Sequence, residues 1–135
     1  MIKWKEEYST GVAKLDQQHR SLFEYCNELE GTIKDGPIAV STVELALRFL
    51  ERYVKGHFGQ EEACMHQHAC PIADKNKFAH QQFIQMYESL QQKFINNKTN
   101  EANAKETLQV LHQFLEKWLI DHICQIETKL KPCVN

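Results

Sequence analysis

At 135 residues, with 42% hydrophobic and 25% charged side chains, the chain is long enough to bury one real core and ordinary in composition for a globular domain. A formal net charge of -2, built from mixed signs, leaves no basic footprint and argues against a nucleic-acid partner. No apolar run approaches the length that crosses a bilayer, so no membrane role is expected, and the N-terminal residues lack a signal-peptide pattern, which makes the cytoplasm the expected location.

Five glycines and three prolines favour long helices over many-turned strands. An N-terminal arm runs to about Leu15, where Asp16 is placed to cap a first helix that ends near Asp35-Gly36-Pro37. Ser41-Thr-Val-Glu44 has capping-box spacing and opens a second helix lasting to about His66, stopped by Ala69-Cys70-Pro71. Asp74 is placed to cap a third helix to about Ile95. A polar turn, Asn96 to Asn100, precedes a fourth helix from about Ala102 to Leu130, before Pro132. No repeat, low-complexity tract or linker interrupts this plan.

Each helix carries an apolar stripe in steps of three and four. The first has Leu15, His19, Leu22, Cys26, Leu29 and Ile33, and the second Val43, Leu47, Leu50, Val54, His57, Glu61 and Met65. The third has Asn76, His80, Phe83, Tyr87, Leu90 and Phe94, and the fourth Leu108, Leu111, Leu115, Trp118, His122 and Ile126. Short connections make neighbours antiparallel, so the expectation is an all-α, up-down-up-down four-helix bundle with an N-terminal arm.

Every stripe is interrupted by a histidine. His57 and Glu61 stand one turn apart, about 40° around the axis, and face the same interior point. A carboxylate buried alone there would cost several kcal/mol, so four histidines and a glutamate converging from four helices ask for a common partner. Imidazole with carboxylate suits iron, manganese or zinc, and two metals bridged by carboxylate would use all the donors. A single histidine on an apolar face is usually a satisfied core residue; one from each helix is the observation that points to metal. His112 lies beside the fourth stripe and reads as a wet-edge residue.

With these residues in view, the chain resembles the hemerythrin family, in particular its single-domain bacterial members, over nearly its whole length (1–135). The resemblance rests on Gly11-Val-x-x-Leu-Asp-x-Gln-His19 with Trp4 in the arm, and on His57-Phe58-x-x-Glu61-Glu62 followed by Met65. It rests also on Asn76-Lys-x-x-His80-x-x-Phe83 after Pro71, and on Trp118-Leu-x-x-His122-Ile-x-x-x-Glu127. It implies two irons joined by an oxo or hydroxo bridge and by the carboxylates of Glu61 and Glu127. His19 and His57 would serve one iron, His80 and His122 the other. Dioxygen, or another small diatomic ligand, would bind reversibly as hydroperoxide in a dry pocket lined by Phe58, Trp118 and Leu119, in a protein expected to be a monomer. Two positions depart from the family pattern. Asn76 stands where the family has a histidine ligand, and is left to ligate weakly through its amide oxygen, to bond a metal-bound water, or to do neither. Glu127 replaces an aspartate and is selected by the resemblance alone, since five residues from His122 is roughly 140° around an α-helix.

Three functions fit these residues: an oxygen-binding protein for storage, delivery or sensing; a di-iron oxidase, peroxidase or nitric-oxide-reactive enzyme opened up by the missing histidine; and a metal-poor structural bundle. No nucleotide loop, serine triad or zinc-protease motif is present. The five cysteines do not read as a disulfide framework, and a reducing compartment suits them. In Cys64-Met-His66-Gln-His68-Ala-Cys70 the metal-binding types alternate every two residues. No helix gathers such a pattern on one face, so the segment reads as a polar helix end with two spare thiols, and only local unwinding before Pro71 would make it a site.

Overall fold

The first rod, α1, spans Ala13–Lys34 in the computed structural model, which describes residues 2–96, 103–124, 129, 132 and 133. Next come α2 (Val40–Tyr53), a π-helical turn (Val54–Phe58) and α3 (Gly59–Gln67), which run on without a break as a second rod. The third is α4 (Ala73–Asn96), and the fourth is α5 (Ala104–Trp118) continued by another π-helical turn (Leu119–Ile123). No strand occurs among the described residues, and the architecture is the expected antiparallel four-helix bundle.

The stripes read from sequence face the core, with Ile33, Phe94 and Trp118 partly buried at its edge and Ile126 outside the described residues. Leu22, Cys26, Leu50, Leu108 and Leu115 are fully buried in one continuous core with Val43, Leu47, Phe83 and Leu111. Burying each such aliphatic chain is worth about 1.5–3 kcal/mol. Tyr87 adds a polar tie, its hydroxyl donating to the Leu47 carbonyl at 3.0 Å, which fixes α4 against α2. The N-terminal arm lies antiparallel along α1. Asn27 exchanges hydrogen bonds with the Ile2 backbone at 2.8 and 3.2 Å, and the Arg20 guanidinium sits 4.0 Å over the Trp4 ring.

Three caps differ from expectation, and in one of them α4 begins at Ala73, so that Asp74 falls inside its first turn instead of capping it. Helix α1 begins before Asp16, with Val12 as its N-cap residue, and the Asp16 carboxylate instead reaches back to accept from the Thr10 N–H at 2.7 Å, the Thr10 hydroxyl at 2.8 Å and the Ser9 hydroxyl. Gly11, at φ 81°, supplies the left-handed turn that brings the arm to it. Helix α2 likewise starts at Val40, after Ala39, so Ser41 falls inside the first turn and the capping box of Ser41 and Glu44 does not form. The misplacements have one cause: cap spacing defines a pattern, but the packing of the preceding loop decides where the first turn closes.

The cysteines bring a larger correction. Cys70 is joined to Cys133 in a disulfide, 63 residues apart in sequence, so it is no spare thiol. Cys26, Cys64 and Cys124 carry thiols and take no part in that disulfide. Such a pairing is a tertiary contact that spacing alone does not reveal. Cys64 Sγ lies 3.9 Å from His68 Nδ1 at the end of α3, where Ala69 adopts φ 51°, and the Cys/His alternation gathers into no metal-ligand group among the described residues.

Burial, with smaller contributions from Glu116 and Glu30, pushes the Cys26 thiol up to about 12 from an ordinary 9.0. The native thiolate fraction near pH 8 is then lower by roughly a thousandfold. Iodoacetamide applied to the folded protein without reductant should modify Cys64 and Cys124 while sparing Cys26, which should react only after unfolding. Peptide mass spectrometry reads this directly, and fast labelling of native Cys26 would contradict it. The neutral thiol favours the fold fully below about pH 9, and that contribution is lost as pH rises through about 12.

Candidate metal centre

Five side chains meet in one layer at a single end of the core: His19 from α1, His57 from the first π turn, Glu61 from α3, His80 from α4 and His122 from the second π turn. All are 0–2% exposed. They form two groups whose donor atoms each lie within 4.8 Å of one another, His19–His57–Glu61 and Glu61–His80–His122. In the first, His19 Nε2 is 2.9 Å from His57 Nε2, and Glu61 Oε2 is 3.1 and 3.2 Å from those two atoms. Glu61 Oε1 turns the other way, 3.0 Å from His80 Nε2. One carboxylate thus divides its two oxygens between two histidine pairs.

The surroundings fix the rings. His57 Nδ1–H donates to Gln18 Oε1, and Gln18 Nε2 in turn donates to Gln60 Oε1 at 2.8 Å, a chain that sets the amide orientation and leaves His57 Nε2 as the inward lone pair. The Tyr53 hydroxyl donates to the Gln18 carbonyl at 3.2 Å, so the same residue is held from both ends. His80 has the Glu62 carboxylate 3.8 Å from its Nδ1, and the Phe58 ring stacks on it at 3.8 Å with 5° between planes. Trp118 stacks on His122 at 4.5 Å and 29°, and lies 5.6 Å from Phe58. Asn76 is fully buried. Its amide donates to Glu61 Oε1 at 2.6 Å and approaches Met65 Sδ at 3.2 Å, while its Oδ1 has no hydrogen-bond partner among the described residues.

The chain matches the model of the hemerythrin HHE cation binding domain over residues 10–134. It belongs to the hemerythrin family. Among its relatives, a bacteriohemerythrin of Methylococcus capsulatus is 29% identical, over 96% of this chain and 92% of its own. A myohemerythrin of Theromyzon tessulatum is 26% identical, over 96% of this chain and 90% of its own. The crystal structure of a wild-type hemerythrin aligns with a TM-score of 0.80 at 27% identity, covering 99% of this chain and 98% of that one.

Of the residues singled out from sequence, His19, His57, Glu61, His80 and His122 come together, Asn76 adjoins them, and Phe58 and Trp118 cover two of the rings. Leu119 is fully buried at the start of the second π turn. Glu127 lies outside the described residues. Gln18, Tyr53 and Glu62 were not picked out as parts of the site. Their side chains serve the histidines only across helices, and the one available signal was that Gln18 and Glu62 directly neighbour His19 and Glu61 in the chain. The π turns were missed as well. Each carries a histidine of the site, and a widened turn of this kind re-aims side chains within an otherwise regular rod.

Proposed function

We propose that this hemerythrin holds two irons in the histidine layer and binds dioxygen reversibly, as a storage, delivery or sensing protein. His19 and His57 would hold one metal and His80 and His122 the other, with Glu61, and Glu127 on the family resemblance, supplying the carboxylates. The observation that carries this reading is the divided Glu61 carboxylate together with the tight triangle beside it. Its sides of 2.9, 3.1 and 3.2 Å join imidazole nitrogens and a carboxylate oxygen with no solvent between them, a donor set that would suit an iron ion. The irons supply the redox chemistry that dioxygen binding needs.

The chain's own residues do the rest. Gln18 keeps His57 in the tautomer that points Nε2 inward, and Phe58 and Trp118 place aromatic faces over His80 and His122 where water would otherwise approach. Protein made in iron-replete medium should carry close to two irons per chain and, once reduced, show a visible band that appears with dioxygen and vanishes on purging. Saturation at a single metal would overturn the dinuclear reading.

Asn76 is the residue that tunes this centre. Its amide grips the bridging carboxylate, in a place where the family has another imidazole. On this reading, His80 and His122 are the two ring donors for their metal among the described residues. Asn76→His should restore a strong donor and slow autoxidation on the order of tenfold. The larger ring must displace Met65, so folding is checked first by circular dichroism. Equal autoxidation of the folded variant and its parent, at matched pH and salt, would remove Asn76 as the control point.

A cleft of about 550 Å³, walled by Ala79, Met86, Phe114, Lys117 and Trp118, reaches His122 from the surface. It favours a second reading, an oxidase, peroxidase or nitric-oxide-reactive enzyme whose substrate enters here. Stopped-flow absorbance separates the two: a persistent oxygenated spectrum supports the carrier, and rapid decay coupled to substrate turnover supports the enzyme.

A further inference from the structure

Away from the histidine layer, Cys26 on α1 faces His112 and Glu116 on α5. Cys26 is seven residues beyond His19, about 10 Å further along the helix. The Cys26 thiol, a ring nitrogen of His112 and a carboxylate oxygen of Glu116 all lie within 4.8 Å of one another, with His112 Nε2 3.7 Å from Glu116 Oε2. Cys26 is fully buried, and His112 Nε2 is shielded from solvent with no hydrogen-bond partner among the described residues. A cleft of about 300 Å³, bordered by Glu30, Lys34 and Gln109, opens at His112.

We propose that Cys26, His112 and Glu116 form a second, mononuclear site for a zinc-class divalent cation, distinct from the four-histidine centre. One sulfur, one nitrogen and one oxygen donor, with a water from the cleft, complete four-coordination. The thiolate makes this set softer than the imidazoles and carboxylate of the main centre, which separates the metals the two sites prefer. Tetrahedral edges of roughly 3.3–3.6 Å require the three donors to draw in by at most about 1.5 Å. The two on α5 sit one turn apart, where rotation of the His112 and Glu116 side chains supplies that movement. Binding converts the Cys26 thiol to thiolate and releases one proton to solvent for each cation bound. The cation also offsets the burial and the Glu116 and Glu30 charges that otherwise keep this thiol protonated.

The test uses protein whose main centre is already loaded with iron, kept free of reductant so that the Cys70–Cys133 disulfide persists. Cobalt(II) is titrated in as a spectroscopic stand-in for zinc. The expected result is one further equivalent bound, with a near-ultraviolet sulfur-to-cobalt charge-transfer band that zinc(II) then bleaches. Cobalt held only by imidazole and carboxylate gives no such band. Cys26→Ala should abolish the band. His112→Gln, at a half-buried position that spares the core, should weaken cobalt binding by at least the roughly tenfold that loss of a supporting partner costs. Absence of the band at saturating cobalt, or full affinity in folded His112→Gln, would overturn the proposal. So would a band that survives Cys26→Ala but disappears in Cys64→Ser, which would place the cation at the His66–His68 end of α3. The iron content of the main centre, measured in parallel, reports on that site independently.

Discussion

Glu61→Gln is expected to take the metal content from close to two irons per chain to one or none while leaving the helical content intact. Glutamine has the same shape, so the layer keeps its packing. What changes is the donor set. In the native protein Oε2 faces His19 and His57 while Oε1 faces His80 and accepts from Asn76. An amide has one oxygen and one NH2 group, and the nitrogen has no lone pair to give a metal. If the amide nitrogen turns toward His19 and His57, that pair loses its third donor. If it turns toward His80, it meets the Asn76 amide donor head on, and the other metal loses its carboxylate. On the proposed reading, either orientation takes away the carboxylate that the two histidine pairs share. Metal analysis after dialysis, with far-ultraviolet circular dichroism as the folding check, decides the matter. Two irons retained at unchanged affinity would show that Glu61 is only a hydrogen-bonded core residue.

Chelation should lower the melting midpoint by about 20 °C or more. Metal that binds only the native state stabilises it by mass action, about 4 kcal/mol for each site at a free concentration a thousandfold above the dissociation constant. For a chain of this length each kcal/mol moves the midpoint by roughly 3–5 °C, and two sites act together. The apo protein should nonetheless remain folded. Its histidines still have Glu61 oxygens at 3.0–3.2 Å, and the leucine core that runs along the rest of the bundle does not depend on metal. Calorimetry of loaded and stripped protein at one scan rate measures the difference. Coincident melting curves, with metal shown to be bound in one sample, would rule out the histidine layer as the place where it binds.

Much of this molecule was legible in its residues because two periodicities coincide. The three-and-four spacing of Leu22, Leu29, Leu50, Leu108 and Leu115 defines the buried face of each rod, and burial of that face is what stabilises a bundle, so pattern and structure have the same cause. The histidines were legible for the opposite reason: each is a polar residue at a position where the pattern demands an apolar one. Caps were less legible. Asp16 and Ser41 offer hydrogen-bonding groups that several nearby positions could use, and the choice was made by the turn at Gly11 and the loop before Val40.

The chain by itself determined the helix count, the buried stripes and the five polar residues of the central layer, since these depend on local spacing along single helices. Only the tertiary structure decided how Glu61 splits its oxygens, that Gln18 orients His57, that Asn76 holds the carboxylate, that Cys70 joins Cys133, and that Cys26 meets His112 and Glu116. Each of those is a contact between residues far apart in sequence. Its existence depends on the rotation and axial offset of one packed rod against another, and on the two π turns that re-aim His57 and His122, quantities that a single helix's repeat does not contain.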